Sequence, residues 1–103
     1  IFSDASLTGW GASCADQRIH GWWTKEDQSL HINALELKAA FYALKCFAAH
    51  LHNCNILLRI DNTTALSYIN KFGSVQHPVL SDITRQIWQW CEERHIYLFA
   101  SYI

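Results

Sequence analysis

The segment that most constrains the fold is a short apolar run that ends abruptly in an acidic residue. Residues 55–60 read Asn-Ile-Leu-Leu-Arg-Ile, and Asp61 follows the last apolar side chain. Such a run is typical of a β-strand buried on both faces. The next three residues, Asn62-Thr63-Thr64, are types that cap helix starts, so a helix is predicted after them. A parallel strand followed by a helix would place Asp61 at a functional crevice, although Asp61 alone is more simply a turn or capping residue.

Length and composition allow one domain with a hydrophobic core. The chain has 103 residues, of which 50% are hydrophobic and 14% aromatic, which is enough for one core and too little for two. It begins at Ile1 rather than a methionine and ends at Ile103 without a polar tail, so we expect residues 1–103 to be one domain cut from a longer protein. A net charge of -1 provides no basic surface that would indicate a free-standing nucleic-acid binder.

The chain shows no membrane segment and no metal-binding spacing of cysteines. No apolar run approaches the roughly 20 residues that span a bilayer, and no cleaved signal is recognisable. Without any CxxC or CxxH pair, the cysteines are interpreted as buried, reduced thiols rather than disulfides; they are Cys14, Cys46, Cys54 and Cys91. We therefore expect an intracellular protein, cytoplasmic or nuclear, with no membrane partner.

The first part of the chain predicts an antiparallel meander. Three β-favouring segments with short connections are followed by a polar loop; they are residues 1–6, 10–15 and 18–24, and the loop is 25–30. Gly21 inside the third segment predicts a bulge. Trp22 and Trp23 are adjacent in a strand, so at least one of them should be core.

The rest of the chain alternates helices with two further strands. A long amphipathic helix is predicted over residues 33–50, with Asn33 and Glu36 as a capping box. A second helix is predicted over 63–71, stopping near residues 72–73, and a third begins at a Ser81 cap. That third helix should turn Ile83, Ile87, Trp90 and Cys91 inward and Glu92, Glu93 and Arg94 toward water. Residues 96–101 predict a final buried strand.

The order β-β-β-α-β-α-α-β predicts an α/β fold with a five-stranded mixed sheet. The three-stranded antiparallel meander would be joined by two parallel strands, with helices packed on the sheet. In this arrangement Asp4, Glu36 and Asp61 could converge, with Glu36 in the first turn of the long helix. Such a cluster repels itself unless cations are present, and Mg²⁺ is the natural partner of oxygen ligands. Taken singly, each acid has a simpler interpretation: Asp4 as a turn former, Glu36 as half of a capping box and Asp61 as a helix cap.

Three ordered motifs resemble the ribonuclease H domains of retroelement reverse transcriptases of the DIRS and Ty3-like type. The motifs are Ser-Asp-Ala-Ser with Gly-Trp-Gly-Ala at residues 3–6 and 9–12, Asn-Ala-Leu-Glu-Leu-Lys-Ala-Ala at 33–40, and Ile-Asp-Asn-Thr-Thr-Ala at 60–65. The resemblance implies a ribonuclease H-like fold that cuts the RNA strand of an RNA-DNA hybrid with two magnesium ions, for which Mn²⁺ can substitute. It implies Asp4, Glu36 and Asp61 as catalytic and metal-binding residues, and Asn33 and Thr63 as substrate contacts.

The resemblance also implies a polymerase domain in the same polyprotein and a fourth acid after the last strand. Because the chain stops at Ile103, we expect the domain to be truncated at its C-terminal end and to cut poorly by itself. The alternative from another class is a non-catalytic ribonuclease H-like module that connects or positions a polymerase or recombinase domain. A third is a metal-free α/β interaction domain with a chance motif match.

Overall fold

The chain folds around a five-stranded mixed sheet, as predicted. The computed structural model describes residues 1–71 and 77–103. The strands are β1 (Phe2–Ala5), β2 (Gly9–Cys14), β3 (Gln17–Trp22), β4 (Asn55–Ile60) and β5 (Tyr97–Tyr102), in the order β3-β2-β1-β4-β5. The first three form an antiparallel meander, and β4 pairs parallel with both β1 and β5. The α/β fold class with a mixed sheet is therefore confirmed.

Within residues 1–71 and 77–103, four helices connect the strands, one more than predicted. They are α1 (Lys25–Gln28), α2 (Ile32–Phe47), α3 (Thr63–Asn70) and α4 (Pro78–Glu93). The additional helix α1 lies in the predicted polar loop, because Thr24 accepts a hydrogen bond from the Asp27 N–H at 3.2 Å and so caps a single turn. An ion pair of 2.6 Å between Lys38 and Asp27 fastens this turn to α2.

The start of α2 corrects the predicted capping box. His31 is the N-cap, and its Nδ1 accepts a hydrogen bond from the Asn33 N–H at 3.1 Å, so Asn33 lies inside the helix. The Glu36 carboxylate does not return to the helix start but accepts a hydrogen bond from Ala5 on β1. The helix ends at Phe47, three residues before the predicted end.

The starts of the two later helices are fixed by Asn62 and by Pro78. Asn62 caps α3, as its residue type predicts. The predicted stop of this helix near residues 72–73 lies outside the described residues. The Ser81 cap of α4 is wrong: Pro78 occupies the first helical position, where its missing N–H costs nothing, and the Ser81 N–H already bonds the His77 carbonyl oxygen.

The sheet has one covered face and one open face. The three longer helices cover one face with a core that includes Ile56, Leu58 and Leu98. On the other face Leu57, Tyr97 and Phe99 are each about half exposed, at 49%, 56% and 51%. The prediction of a strand buried on both faces is therefore wrong for β4, and the predicted final buried strand, β5, is not fully buried either. Their side chains alternate between core and surface because the helices pack on one side only.

Trp10 explains the glycine at position 21 of the meander. The Trp10 ring lies across Gly21, where an added Cβ would stand 2.6 Å from Trp10 Nε1. The pairing of β2 with β3 runs without interruption through Gly21, so the predicted bulge is wrong. Of the adjacent pair, Trp23 is buried and Trp22 is 77% exposed, which confirms that one of them is core.

The predicted inward face of α4 is confirmed for Ile83, Ile87 and Cys91, which are buried. Trp90 is half-buried, and the Arg94 guanidinium lies 4.0 Å from its ring centroid, so Arg94 packs on the helix end instead of pointing freely to water. None of the four cysteines forms a disulfide, but the expectation that all are buried holds only for Cys91, since Cys46 is exposed. Burial raises the pKa of the Cys91 thiol to about 11. None of the described helices has the length and apolar character needed to cross a membrane.

Candidate metal centre

Three carboxylates from two strands and a helix meet at one edge of the sheet. Asp4 lies in β1, Asp61 directly follows β4, and β1 and β4 are parallel neighbours, so their carboxyl ends lie together. Glu36 lies in the second turn of α2 rather than in the predicted first turn, because His31 caps the helix in place of Asn33. One oxygen from each of the three carboxylates lies within 4.8 Å of the others. The structure thus brings together the three acids singled out in the sequence, whose roles stay a prediction.

Glu36 differs from the two aspartates in its surroundings. Asp4 and Asp61 are exposed, whereas Glu36 is 3% exposed. The Ala5 N–H donates to Glu36 Oε1 at 3.1 Å and also to Asp4 Oδ1 at 2.9 Å. Burial raises the pKa of Glu36 to about 7; the Ala5 N–H opposes that rise, while the charges of Asp4 and Asp61 add to it.

The donor set fits a hard divalent cation. Glu36 Oε2 is buried and has no hydrogen-bond partner among the described residues, and a buried carboxylate oxygen without a partner is costly. Within residues 1–71 and 77–103, no ion pair involves Asp4, Glu36 or Asp61. Three carboxylates with free oxygens and no protein cation are the kind of ligand set that Mg²⁺ prefers. Asp4, Glu36 and Asp61 are therefore the residues that would hold such an ion.

Two asparagines, Asn33 and Asn62, lie beside the carboxylate cluster. We call them the amide pair. Asn33 is three residues before Glu36 on α2, and Asn62 follows Asp61. Asn62 Nδ2 donates a hydrogen bond to Asn33 Oδ1 at 3.0 Å. Thr63, the other predicted substrate contact, is exposed at the first position of α3 and makes no side-chain hydrogen bond to a described residue. The sequence identified Asn62 only as a cap, because nothing local indicates a partner 29 positions away.

A groove on the open face adds two cationic or ionisable side chains to the site. It is lined by Asp4 and Asp61 and continues across Gly11 to His20 and Arg18. Asp4, Gly11 and His20 are cross-strand neighbours on β1, β2 and β3. A Cβ at Gly11 would meet nothing closer than 3.8 Å, so the glycine leaves the surface between the acid and the histidine bare. Sequence reasoning missed Arg18 and His20; alternation along β3, with residues two apart on one face, was the available signal.

Comparison with known proteins gives structural relatives. No protein-family model matches the chain, and no curated protein sequence matches it significantly. Among solved structures, LC11-RNase H1 in complex with an RNA/DNA hybrid, isolated from compost by a metagenomic approach, is similar with a TM-score of 0.75 at 17% identity, over 99% of this chain and 82% of that chain. RNase H1 from the halophilic archaeon Halobacterium salinarum gives a TM-score of 0.73 at 16% identity, over 99% and 82%.

A third solved structure shows the same likeness over a smaller share of its own chain. The N-terminal RNase H domain of a Mycobacterium tuberculosis protein, fused to maltose-binding protein, gives a TM-score of 0.64 at 14% identity, over 92% of this chain and 69% of that chain. At identities this low, the likeness concerns the backbone architecture. The five-stranded mixed sheet, with its strand order and its pattern of parallel and antiparallel pairs, fits the fold of the RNase H1 structures, so the chain has a ribonuclease H-like fold.

Proposed function

We propose that this chain is a metal-dependent ribonuclease H domain, which hydrolyses the RNA strand of an RNA-DNA hybrid endonucleolytically. The observation that carries the proposal is the meeting of Asp4, Glu36 and Asp61, with oxygens within 4.8 Å of one another, on a ribonuclease H-like fold. The RNA/DNA hybrid bound to LC11-RNase H1 supports the choice of substrate.

The two exposed aspartates and the buried glutamate would have different tasks. Mg²⁺, or Mn²⁺ in its place, bound as a pair would stabilise the attacking and leaving oxygens of the phosphodiester. The exposed Asp4 and Asp61 would offer oxygens to a metal ion while staying open to solvent. The buried Glu36 holds one oxygen on the Ala5 N–H and would offer the other, which has no partner among the described residues, to a metal ion. The two strand ends and the helix thereby fix the ligands before the metal arrives.

Substrate contacts would come from side chains around the cluster. Asn33 and Thr63 are the candidates for the minor groove, where 2′-hydroxyls distinguish RNA from DNA. Arg18 and His20 line the groove on the open face of the sheet, on the other side of Asp4, and can contact phosphates. With a net charge of only -1 and few cations near the site, binding by the domain should be weak and sensitive to salt.

The wider context is also part of this proposal. The motifs at residues 3–12, 33–40 and 60–65 support a retroelement reverse transcriptase, with a polymerase domain in the same polyprotein and an intracellular location. The second candidate function is a non-catalytic module that positions a polymerase or recombinase domain. It is favoured by one observation: among the described residues the acidic group has three members instead of the four acids that the resemblance implies.

A cleavage assay separates these candidates. End-labelled RNA is offered to the wild-type protein in Mg²⁺ as a hybrid with DNA, as a single strand and as an RNA duplex, with Asp61→Asn as the inactive control. We expect metal-dependent cuts within the RNA of the hybrid and none with the variant. Equal cleavage of all three substrates, or equal cleavage by wild type and variant, would contradict the proposal. Hybrid binding without any cleavage would favour the non-catalytic module.

A further inference from the structure

The amide pair connects the helix that carries Glu36 with the turn that carries Asp61. Asn62 Oδ1 accepts a hydrogen bond from the Ala65 N–H at 2.8 Å and so caps α3. Its Nδ2 donates to Asn33 Oδ1 at 3.0 Å. One side chain therefore makes both bonds, one within its own helix start and one across to α2.

The cap dictates which way each amide faces. A backbone N–H can only donate, so the oxygen of Asn62 must face Ala65 and its NH₂ group must face Asn33. Asn33 Oδ1 accepts a hydrogen bond from that NH₂ group, so the two N–H donors of Asn33 are directed away from Asn62. Among the described residues nothing accepts a hydrogen bond from Asn33 Nδ2, and the side chain is only half-buried. The site thus presents a hydrogen-bond donor next to the carboxylates.

We infer that Asn62 is a positioning residue that holds Asn33 with its amide donors toward the minor groove of the hybrid. This rests on the proposed function. Every base pair shows acceptors in the minor groove, the purine N3 and the pyrimidine O2, and the ribose 2′-hydroxyl can accept as well. A donor at Asn33 fits all of these regardless of base sequence. If the Asn33 amide were rotated by 180°, its oxygen would face minor-groove acceptors at nearly every base pair.

Capping alone does not require an asparagine. A serine hydroxyl accepts the same hydrogen bond at an N-cap and is about as favourable there. The serine side chain is shorter and has no second group to donate to Asn33. Asn62→Ser therefore keeps the cap and removes the positioning bond, which separates the two tasks of this residue. Asn62→Asp is a poorer choice because it adds a charge beside Asp61.

The test measures hybrid affinity by fluorescence anisotropy, without divalent metal so that no cleavage occurs, for Asn62→Ser, Asn33→Ala and the double variant. Loss of one hydrogen bond should weaken hybrid binding by about three- to tenfold in each variant. The double variant should bind no more weakly than Asn33→Ala, because Asn62 acts through Asn33. In cleavage kinetics the loss should fall mainly on KM.

Asn70→Ser is the matched control. Asn70 lies at the other end of α3 and makes two hydrogen bonds to Ala100, with its Nδ2 to the carbonyl oxygen and its Oδ1 from the N–H. This variant loses a bridging amide in the same helix, far from the carboxylates, and should bind hybrid like the wild type. NMR of the Asn33 side-chain NH₂ in Asn62→Ser should show a shifted signal even without hybrid.

The outcomes distinguish this inference from the proposed function. If the wild type has no preference for hybrid over DNA duplex, the proposed function fails and this inference with it. If the wild type prefers hybrid and Asn33→Ala weakens it, but Asn62→Ser binds normally, only the role of Asn62 is overturned. Losses that add in the double variant would also overturn it, because Asn62 would then act on binding by another route.

Discussion

The carboxylate cluster and the amide pair lie side by side, yet they differ in their hydrogen bonding. In the part of the chain that the structure describes, the cluster leaves a carboxylate oxygen without a partner, whereas the two amides bond to each other and to a helix start. The cluster brings three acids within 4.8 Å, leaves Glu36 Oε2 without a partner among the described residues and raises the Glu36 pKa to about 7. The amide pair instead satisfies the start of α3 and bonds it to α2. The cluster is therefore built at the expense of folding stability, whereas the pair contributes to it. Substitutions in the two regions should change stability with opposite signs.

Asp61→Asn should have the largest effect on activity. Removal of one hydrogen-bond donor from an oxyanion hole costs roughly 3 kcal/mol of transition-state stabilisation. A similar cost here would lower the rate by at least about 100-fold, and weaker metal binding should deepen the loss. Because the change removes a like charge, the free energy of unfolding without metal should stay the same or rise. Hybrid cleavage and urea denaturation measure the two quantities. Loss of the fold would argue for a structural Asp61.

Glu36→Gln should raise stability in a way that depends on pH. The pKa of Glu36 is about 7 in the folded protein against a reference of 4.5, so ionisation is disfavoured by folding. The wild type should lose stability as pH rises from 4.5 to 7, up to about 3 kcal/mol. The neutral variant should match the wild type near pH 4.5 and exceed it near pH 8. Denaturation across this range in EDTA measures the difference.

The same experiment has a built-in control in added metal. Mg²⁺ should stabilise the wild type at pH 8 by binding the ionised carboxylates, and it should have little effect on Glu36→Gln. A stability difference that does not change between pH 4.5 and 8 would show that Glu36 does not ionise near 7.

Asn33→Ala should have a smaller effect, and its effect on stability should have the opposite sign. Hybrid affinity should fall by about three- to tenfold through loss of a hydrogen bond. Stability should fall slightly, because the Asn62 NH₂ loses its partner. Anisotropy and denaturation under the same conditions compare the variant with Asp61→Asn. If Asn33→Ala were more stable than the wild type, the carboxylate cluster and the amide pair would not differ in the sign of their effect on stability.

Arg18→Ala should have the smallest effect. Arg18 is exposed in the groove beside Asp4, so we expect it to contact phosphate without reading sequence or sugar. The slope of log affinity against log salt should decrease by about 0.7 to 0.9 if one phosphate contact is lost. Salt titration of hybrid binding measures this slope. An unchanged slope would place Arg18 outside the nucleic-acid interface.

The sheet could be predicted from the sequence because its strands and the connecting helix each have a local sequence pattern. The apolar run before Asp61, the long amphipathic segment and the two short turns each specify an element independently of the rest. The faces of the sheet were not predictable in this way, because an apolar run such as residues 55–60 looks the same whether one face or both are covered. Leu57 is half exposed for that reason.

The site was predictable where a residue follows a strand or lies in a motif, as Asp4, Glu36 and Asp61 do. Its neighbours were not predictable when they depend on contacts distant in sequence. The bond from Asn62 to Asn33 requires the helix start and the strand end to be placed side by side. The His31 cap displaced the predicted capping box because an imidazole nitrogen accepts the same hydrogen bond as an asparagine side chain.

Asp4, Glu36 and Asp61 should form one binding site for a divalent cation. Titration with Mn²⁺, followed by NMR relaxation of backbone amides at pH 8, tests it most directly, since paramagnetic broadening falls steeply with distance. Broadening should centre on Ala5, Glu36 and Asp61, added Mg²⁺ should reverse it, and Asp61→Asn should weaken it. Broadening centred elsewhere, for example on the exposed His50 and His52, or equal broadening in Asp61→Asn, would contradict it.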